Sequence, residues 1–151
     1  MKQLGNILWH FPFFGFVTAL GTLFMGLVFC ITIIGIPIGL GLFQHAKFLL
    51  TPFSSRMISN SDTGKESSTF MKLFGIFALI LYIPFGLLLS IITIFQICLL
   101  FITIVGIPVA LVLAKSLSTY FNPVGKICVE SEVADELAKR AAVKKADKLT
   151  S

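Results

Sequence analysis

One apolar segment occurs twice in this chain of 151 residues. The segment 32–38 (TIIGIPI) recurs as 103–109 (TIVGIPV), an offset of 71 positions. Small residues and prolines match at the same offset: Gly15 with Gly86, Thr22 with Thr93, and Pro52 with Pro123. Duplicated apolar segments interrupted by glycine and proline are typical of membrane proteins built from internal repeats. The sequence therefore predicts two equivalent halves embedded in a membrane.

The composition excludes an ordinary soluble domain. Hydrophobic residues make up 56% of the chain and charged residues only 13%, whereas an average soluble domain carries roughly 25% charged residues. Two stretches hold most of the apolar side chains: 11–50, interrupted by the basic residues His45 and Lys47, and 73–121, interrupted by Lys115. Each is longer than the roughly 20 residues that one spanning helix needs.

These patterns predict an all-α integral membrane protein made of two tandem repeats. Each repeat is expected to contain a long spanning helix, a Gly-Ile-Pro hinge and a shorter second helix, which gives about four membrane helices. The predicted organisation is a first membrane repeat with a short leading helix at 1–53, a polar linker at 54–69, a second membrane repeat at 70–125, and a charged, partly helical tail at 126–151.

Proline and small residues define the predicted spanning helices. Pro12 and Pro84 are expected to end or kink what precedes them, which gives short leading helices at 4–11 and 70–83, because proline removes a backbone donor and clashes with the preceding turn. The first spanning helix is predicted over about 13–34. Small residues at helical spacing predict a face on which helices pack closely. These residues are Gly15, Ala19, Thr22 and Gly26 in the first half and Gly86, Ser90 and Thr93 in the second. Such a face makes a homo-oligomer plausible.

A hinge is predicted in each half, at Gly35-Ile36-Pro37 and at Gly106-Ile107-Pro108. Glycine is common just past a helix end, and proline suits the first turn of the next helix. The second helices are expected over about 37–51 and 108–121, either crossing most of the bilayer or lying re-entrant. Thr32 and Thr103 are expected to bond back to a carbonyl of their own helix. The alternative is that the two hinges together form a path that exposes backbone groups to an ion.

A polar stripe recurs on the two second helices. It consists of Gln44, Lys47 and Thr51 in the first half and Lys115, Ser118 and Asn122 in the second. Two interpretations stay open: the stripe lines a hydrated path or binds a lipid headgroup, or its members reach the interface by snorkelling. His45 is expected to be a polar residue with satisfied hydrogen bonds near that interface.

Charge placement predicts the topology. If each half is a hairpin, Lys2, Arg56, Lys65 and the whole tail fall on one side, which the positive-inside tendency identifies as the cytoplasm. The net charge of +5 fits anionic lipid rather than nucleic acid. All acidic residues lie in the linker or the tail, and no catalytic motif or metal-ligand spacing is present. No enzyme activity, cofactor or metal is therefore expected.

The duplicated I-x-G-I-P segment, followed about 15 residues later by proline, resembles the YccF family of bacterial inner-membrane proteins. The residues that carry the resemblance are 34–39 and 49–53 in the first half and 105–110 and 121–125 in the second. The resemblance extends over most of 4–128 and implies an inner-membrane location and helical repeats, but no activity. Lys115 keeps the basic position of the family in the second helix, whereas Gln44 does not.

Two functions fit these observations. One is a small oligomeric pore or transport component, with the hinges and the polar stripe forming the path. The other is a membrane-embedded scaffold or regulatory partner that binds lipid or another, unknown membrane protein through its basic loop and tail. In both cases the protein is expected to be a non-catalytic, multi-pass protein of the inner membrane with a cytoplasmic C-terminus.

Overall fold

The computed structural model describes residues 2–11, 15–63 and 69–150, and most of them are helical. In chain order the elements are α1 (Lys2–His10), α2 (Gly15–Ile31), α3 (Ile36–Leu50), β1 (Ser55–Ser59), α4 (Thr69–Ile102), α5 (Ile107–Phe121), β2 (Lys126–Glu130) and α6 (Ser131–Thr150). Short 3₁₀ turns follow β1 at Asn60–Thr63 and precede α5 at Ile104–Gly106.

Two helical segments are long and apolar enough to cross a membrane: Lys72–Ile102 and Ile104–Phe121. A third candidate is α1 together with α2, a pair bent by 77°. Large apolar side chains on these helices point outward, since Phe24 is 65% exposed and Phe95 is 67% exposed. An outer surface of this kind suits lipid and would cause a water-soluble chain to aggregate. The chain is a membrane protein.

Helices α2 and α3 pack against each other through glycine. A Cβ atom placed on Gly39 would lie 2.6 Å from the Gly26 carbonyl oxygen and against the Cys30 sulfur. A Cβ on Gly26 would lie 3.1 Å from the Gly39 carbonyl oxygen. Both glycines therefore allow the two backbones to approach more closely than any larger residue would permit.

Helix α4 runs through Pro84 without interruption. The prediction of a separate leading helix at 70–83 is therefore wrong. A proline removes one backbone hydrogen bond, whereas ending a helix within lipid leaves several polar groups without partners, so continuing the helix costs less. The predicted break at Pro12 lies outside the described residues. The description resumes at Gly15, where α2 begins.

The two hinges adopt closely similar conformations. Helices α3 and α5 each contain 15 residues and begin one residue after Gly35 and Gly106, close to the predicted bounds. Both glycines have ordinary negative φ angles, −81° and −78°, so a left-handed turn does not explain them. A Cβ on Gly35 would collide with the Phe29 carbonyl oxygen, and one on Gly106 with the Leu100 carbonyl oxygen. Close approach of the chain to itself requires glycine here.

The hinge threonines satisfy their hydroxyl groups locally. Thr32 Oγ1 donates to the Phe29 carbonyl oxygen at 2.8 Å, and Thr103 Oγ1 donates to the Leu100 carbonyl oxygen at 3.0 Å. This confirms the prediction that each threonine bonds back to its own helix.

Strands β1 and β2 form a two-stranded antiparallel sheet that the sequence analysis did not predict. Met57 pairs with Cys128 at its centre, with Ser55 opposite Glu130 and Ser59 opposite Lys126 at its ends. The segment predicted as a linker therefore begins with a strand and a 3₁₀ turn. Each strand is too short to be stable alone and forms only because a partner distant in sequence completes the ladder, so the local pattern carried little signal.

Helix α6 follows β2 directly and packs on the sheet. The Ser131 N–H donates to the Ser54 carbonyl oxygen at 2.9 Å, and Ala134 is buried. Arg56 on β1 forms an ion pair with Asp135 on α6 at 2.6 Å. The tail that was predicted to be partly helical is a helix throughout Ser131–Thr150.

Candidate functional site

Four elements pack together at the C-terminal end of α3: β1, β2, α6 and α1. We call these four elements the platform. The Trp9 indole N–H donates to the Leu49 carbonyl oxygen at 2.7 Å, and its ring is fully buried. Asn6 donates to the Ser54 hydroxyl at 3.1 Å and accepts from the Phe53 N–H at 3.1 Å. These bonds hold α1 against the end of α3.

Two recesses open where the platform meets α3 and α5. The first has a volume of about 410 Å³ and is lined mainly by polar groups, among them Lys2, Lys47, Thr51, Ser54, Cys128, Glu130 and Glu132. The second has a volume of about 520 Å³ and mixes apolar with charged groups, among them Phe48, Phe53, Arg56, Met57, Val112, Lys115 and Asp135. Concave sites of this size commonly hold small ligands.

The structure divides the first half of the predicted polar stripe between two roles. Gln44 Oε1 accepts the Cys128 N–H at 3.1 Å and thereby joins α3 to β2. Thr51 Oγ1 lies 2.9 Å from Ser55 Oγ at the start of β1. Lys47 is exposed and lines the first recess.

The second half of the stripe faces outward. Lys115, Ser118 and Asn122 are exposed on one face of the C-terminal part of α5, and Lys115 lines the second recess. Lys47 and Lys115 thus line two recesses that share part of their lining: Lys2, Ser55, Ser131 and Glu132.

The charges around the second recess are unequally paired. Lys2 lies 3.4 Å from Glu132, and Arg56 lies 2.6 Å from Asp135. Among the residues that the structure describes, Lys115 forms no ion pair. An uncompensated cation beside an apolar wall favours an anionic ligand.

Cys128 lies buried in β2 beside the first recess. Burial raises the pKa of its thiol, and a hydrogen bond from Ser55 and the positive charge of Lys47 oppose this shift only in part. A thiol of this kind is a weak nucleophile at neutral pH.

The hinge residues lie at the other end of the same helices. Gly35 and Pro37 begin α3, and Gly106 and Pro108 begin α5, whereas the polar stripe occupies the last turns. A 15-residue helix spans about 22 Å. The predicted hinge path and the predicted polar stripe are therefore two separate places.

All seven residues of the predicted packing face are buried: Gly15, Ala19, Thr22, Gly26, Gly86, Ser90 and Thr93. Their hydroxyl groups bond within their own helices, with Ser90 donating to the Gly86 carbonyl oxygen at 2.7 Å and Thr93 to the Leu89 carbonyl oxygen at 2.8 Å. The face thus meets other helices of the same chain.

A buried polar cluster lies among α2, α3 and α5, and sequence reasoning missed it. His45 is fully buried, with its ring edge-on to Tyr120 at a centroid distance of 4.3 Å. The Tyr120 hydroxyl lies 3.5 Å from Thr22 Oγ1. Within the described part of the chain neither His45 ring nitrogen has a hydrogen-bond partner, so the prediction of a satisfied histidine near the interface is wrong. The cause is packing between distant helices, for which the sequence offered no signal.

Comparison with known proteins gives one finding. Residues 4–55 match the family model of the YccF inner membrane component domain. The match includes most of α1, all of α2 and α3, and the first residue of β1, and it confirms the family resemblance for this segment. The second half of the chain lies outside the match. Neither a curated protein nor a solved structure matched the chain.

Proposed function

We propose that this chain is a non-catalytic, multi-pass scaffold of the bacterial inner membrane, in which two helical hairpins carry a cytoplasmic platform that binds the anionic lipid surface. The observation that carries this proposal is the pairing of β1 with β2. It joins the chain that follows α3 to the chain that follows α5 and thereby supports the view that both segments lie on the same side of the membrane.

The strand pairing supports a hairpin in each half. Because β1 and β2 bond to each other, the segment between them crosses the bilayer an even number of times. That segment contains α4 and α5, which are both long enough to cross, so they run out and back. The ion pair between Lys2 and Glu132 supports an N-terminus on the same side as α6. The concentration of Lys and Arg there favours the cytoplasm as that side.

The element bounds support a tandem repeat. Helix α5 begins and ends 71 positions after α3, and β2 begins and ends 71 positions after β1. Met57 and Cys128 are equivalent at this offset, and they pair at the centre of the sheet. Because an antiparallel pair has a two-fold axis at its centre, this register supports a two-fold relation between the halves, as in the repeats of known transporters.

The charge of the platform supports lipid binding. The acidic residues Glu132 and Asp135 at the start of α6 are held in ion pairs. The remainder of that helix, 139–150, carries five Lys or Arg residues and one Asp. Basic residues close to an anionic leaflet contribute about 1 kcal/mol each. Lys47 and Lys115, near the ends of the membrane helices, add positive charge at the level of the headgroups.

The proposal is tested by hydrogen–deuterium exchange in nanodiscs of phosphatidylglycerol and, in parallel, of phosphatidylcholine. We expect slower exchange in α6 in the anionic discs, and we expect high salt to remove the difference because it screens exposed charges. Equal exchange of α6 in both lipids at low salt would refute lipid binding by the platform.

A pore shared between subunits is the second candidate, and the exposed face of Lys115, Ser118 and Asn122 favours it. In a homo-oligomer this face would line a hydrated path between copies. Flux assays in proteoliposomes that compare the unmodified protein with Lys115→Ala test this candidate. Unchanged flux across ions and small solutes would count against it.

A further inference from the structure

The two edges of the sheet are filled differently. At one edge α3 lies against β2, and Gln44 accepts the Cys128 N–H at 3.1 Å. At the other edge the space between α5 and β1 is occupied by the second recess, which has a volume of about 520 Å³. The residue on α5 that is equivalent to Gln44, 71 positions later, is Lys115, and it lines this recess.

The register of the sheet shows which backbone groups face the second recess. The Asn60 N–H donates to the Gly125 carbonyl oxygen at 2.7 Å, and the Ser131 N–H donates to the Ser54 carbonyl oxygen at 2.9 Å. Residues 54 and 60 therefore bond toward β2. Because hydrogen bonding alternates along an antiparallel strand, the N–H of Met57 points away from β2 and has no strand partner. Met57 lines the recess.

The equivalent residues beside the two edges of the sheet thus have opposite hydrogen-bonding capacity: Gln44 can accept, whereas Lys115 can only donate. Gln44 supplies an acceptor to the outward N–H of Cys128. Lys115 has only donors, so it cannot do the same for Met57. A phosphate oxygen placed between them would accept from both, and such charge-assisted bonds are among the strong ones in proteins. Phosphate recognition by a cation together with a backbone N–H is a recurrent arrangement.

The walls of the second recess favour a lipid as the source of that phosphate. Phe48, Phe53 and Val112 form an apolar side, and the outer surface of α5 exposes apolar side chains such as Leu111. The carboxylates of Glu132 and Asp135 also line the recess, and each is neutralised by its ion pair with Lys2 or Arg56. Lys115 is left as the cation without a partner among the described residues.

We propose that the second recess binds the phosphate group of an anionic phospholipid, with the Lys115 ammonium and the Met57 N–H donating to its oxygens. The apolar side would hold the glycerol and the first acyl carbons. This site rests on the proposed scaffold function and gives its lipid binding a defined position.

The test is a titration of the purified protein in detergent with phosphatidylglycerol, read out as the rise in thermal unfolding temperature. Lys115→Gln removes the charge and supplies the acceptor that Gln44 provides in the other half, so the variant is expected to fold. We expect its affinity for phosphatidylglycerol to fall by about tenfold or more, as expected for the loss of one charge-assisted hydrogen bond. Lys115→Arg is expected to retain binding.

Matched controls distinguish this site from general charge attraction. Lys72→Gln makes the same change of charge at an exposed position of α4 outside the second recess and is expected to alter affinity by no more than about twofold. Equal losses in both Gln variants would overturn the site and leave the scaffold function standing. Equal binding of phosphatidylcholine would overturn the preference for an anionic lipid in both proposals. Failure of the unmodified protein to bind phosphatidylglycerol would overturn both proposals. Equal stabilisation by free glycerol phosphate would overturn the lipid as ligand.

Discussion

Replacing Gly39 by alanine is expected to destabilise the α2–α3 hairpin, because the new methyl group has no space. Its Cβ would lie 2.6 Å from the Gly26 carbonyl oxygen and against the Cys30 sulfur. One of these neighbours is backbone, so the two helices must separate. Overpacking of this kind costs about 1–3 kcal/mol, and the gain from replacing a helical glycine offsets roughly 0.5–1 kcal/mol of that cost. A net loss of about 1–2 kcal/mol follows.

Gly21→Ala is the matched control. Gly21 lies on the exposed side of α2, and a Cβ there meets no atom within 4 Å. This variant is expected to be as stable as the unmodified protein or more stable by up to about 1 kcal/mol. Trp9, the one tryptophan of the chain, is buried against the end of α3 and reports unfolding by fluorescence during titration with denaturing detergent. Equal stabilities of the two variants would refute the inferred close packing at Gly39.

Three further outcomes follow from the structure. Gln44→Leu leaves the Cys128 N–H without its acceptor and is expected to lower the free energy of unfolding by about 1–3 kcal/mol. Gln44→Glu, measured in the same detergent titration, is expected to retain most of the stability of the unmodified protein. Alkylation of Cys128 is measured by mass spectrometry after Cys30 and Cys98 are replaced by alanine. It is expected to be slower at neutral pH than that of a free thiol and to accelerate as the pH rises, because burial raises the pKa of the thiol above its usual range; rapid modification at neutral pH would contradict the burial. His45→Phe is expected to preserve or raise the melting temperature, because the imidazole nitrogens have no partner among the described residues; a large decrease would indicate a partner for the ring.

The membrane helices could be predicted from the sequence because their signals are local. Apolar length, the Gly-Ile-Pro hinges and the spacing of small residues each act within one helix or between neighbours in the chain. The bounds of α3 and α5 accordingly agree closely with expectation. Pro84 misled the prediction because its local preference to end a helix is weaker than the requirement for paired backbone groups in lipid.

The platform could not be predicted because it depends on contacts between distant parts of the chain. Strand β1 forms only with β2, and Gln44 finds its partner in Cys128 across 84 positions. The equivalent members of the predicted polar stripe on α3 and α5 have different surroundings, which only the packing of distant segments reveals. Equivalent positions of the two halves carry different residues, with Gln44 in the first and Lys115 in the second. The two positions therefore make different contacts.

The most direct test of the account is cysteine labelling of intact cells with a polar maleimide that does not cross the inner membrane, in a background without the native cysteines. Asn60→Cys, which follows β1, is expected to react only after the inner membrane is permeabilised. Ile33→Cys at the first hinge, where the native side chain is 79% exposed, is expected to react from outside. Labelling at position 60 in intact cells would contradict the two-hairpin topology and the cytoplasmic platform together.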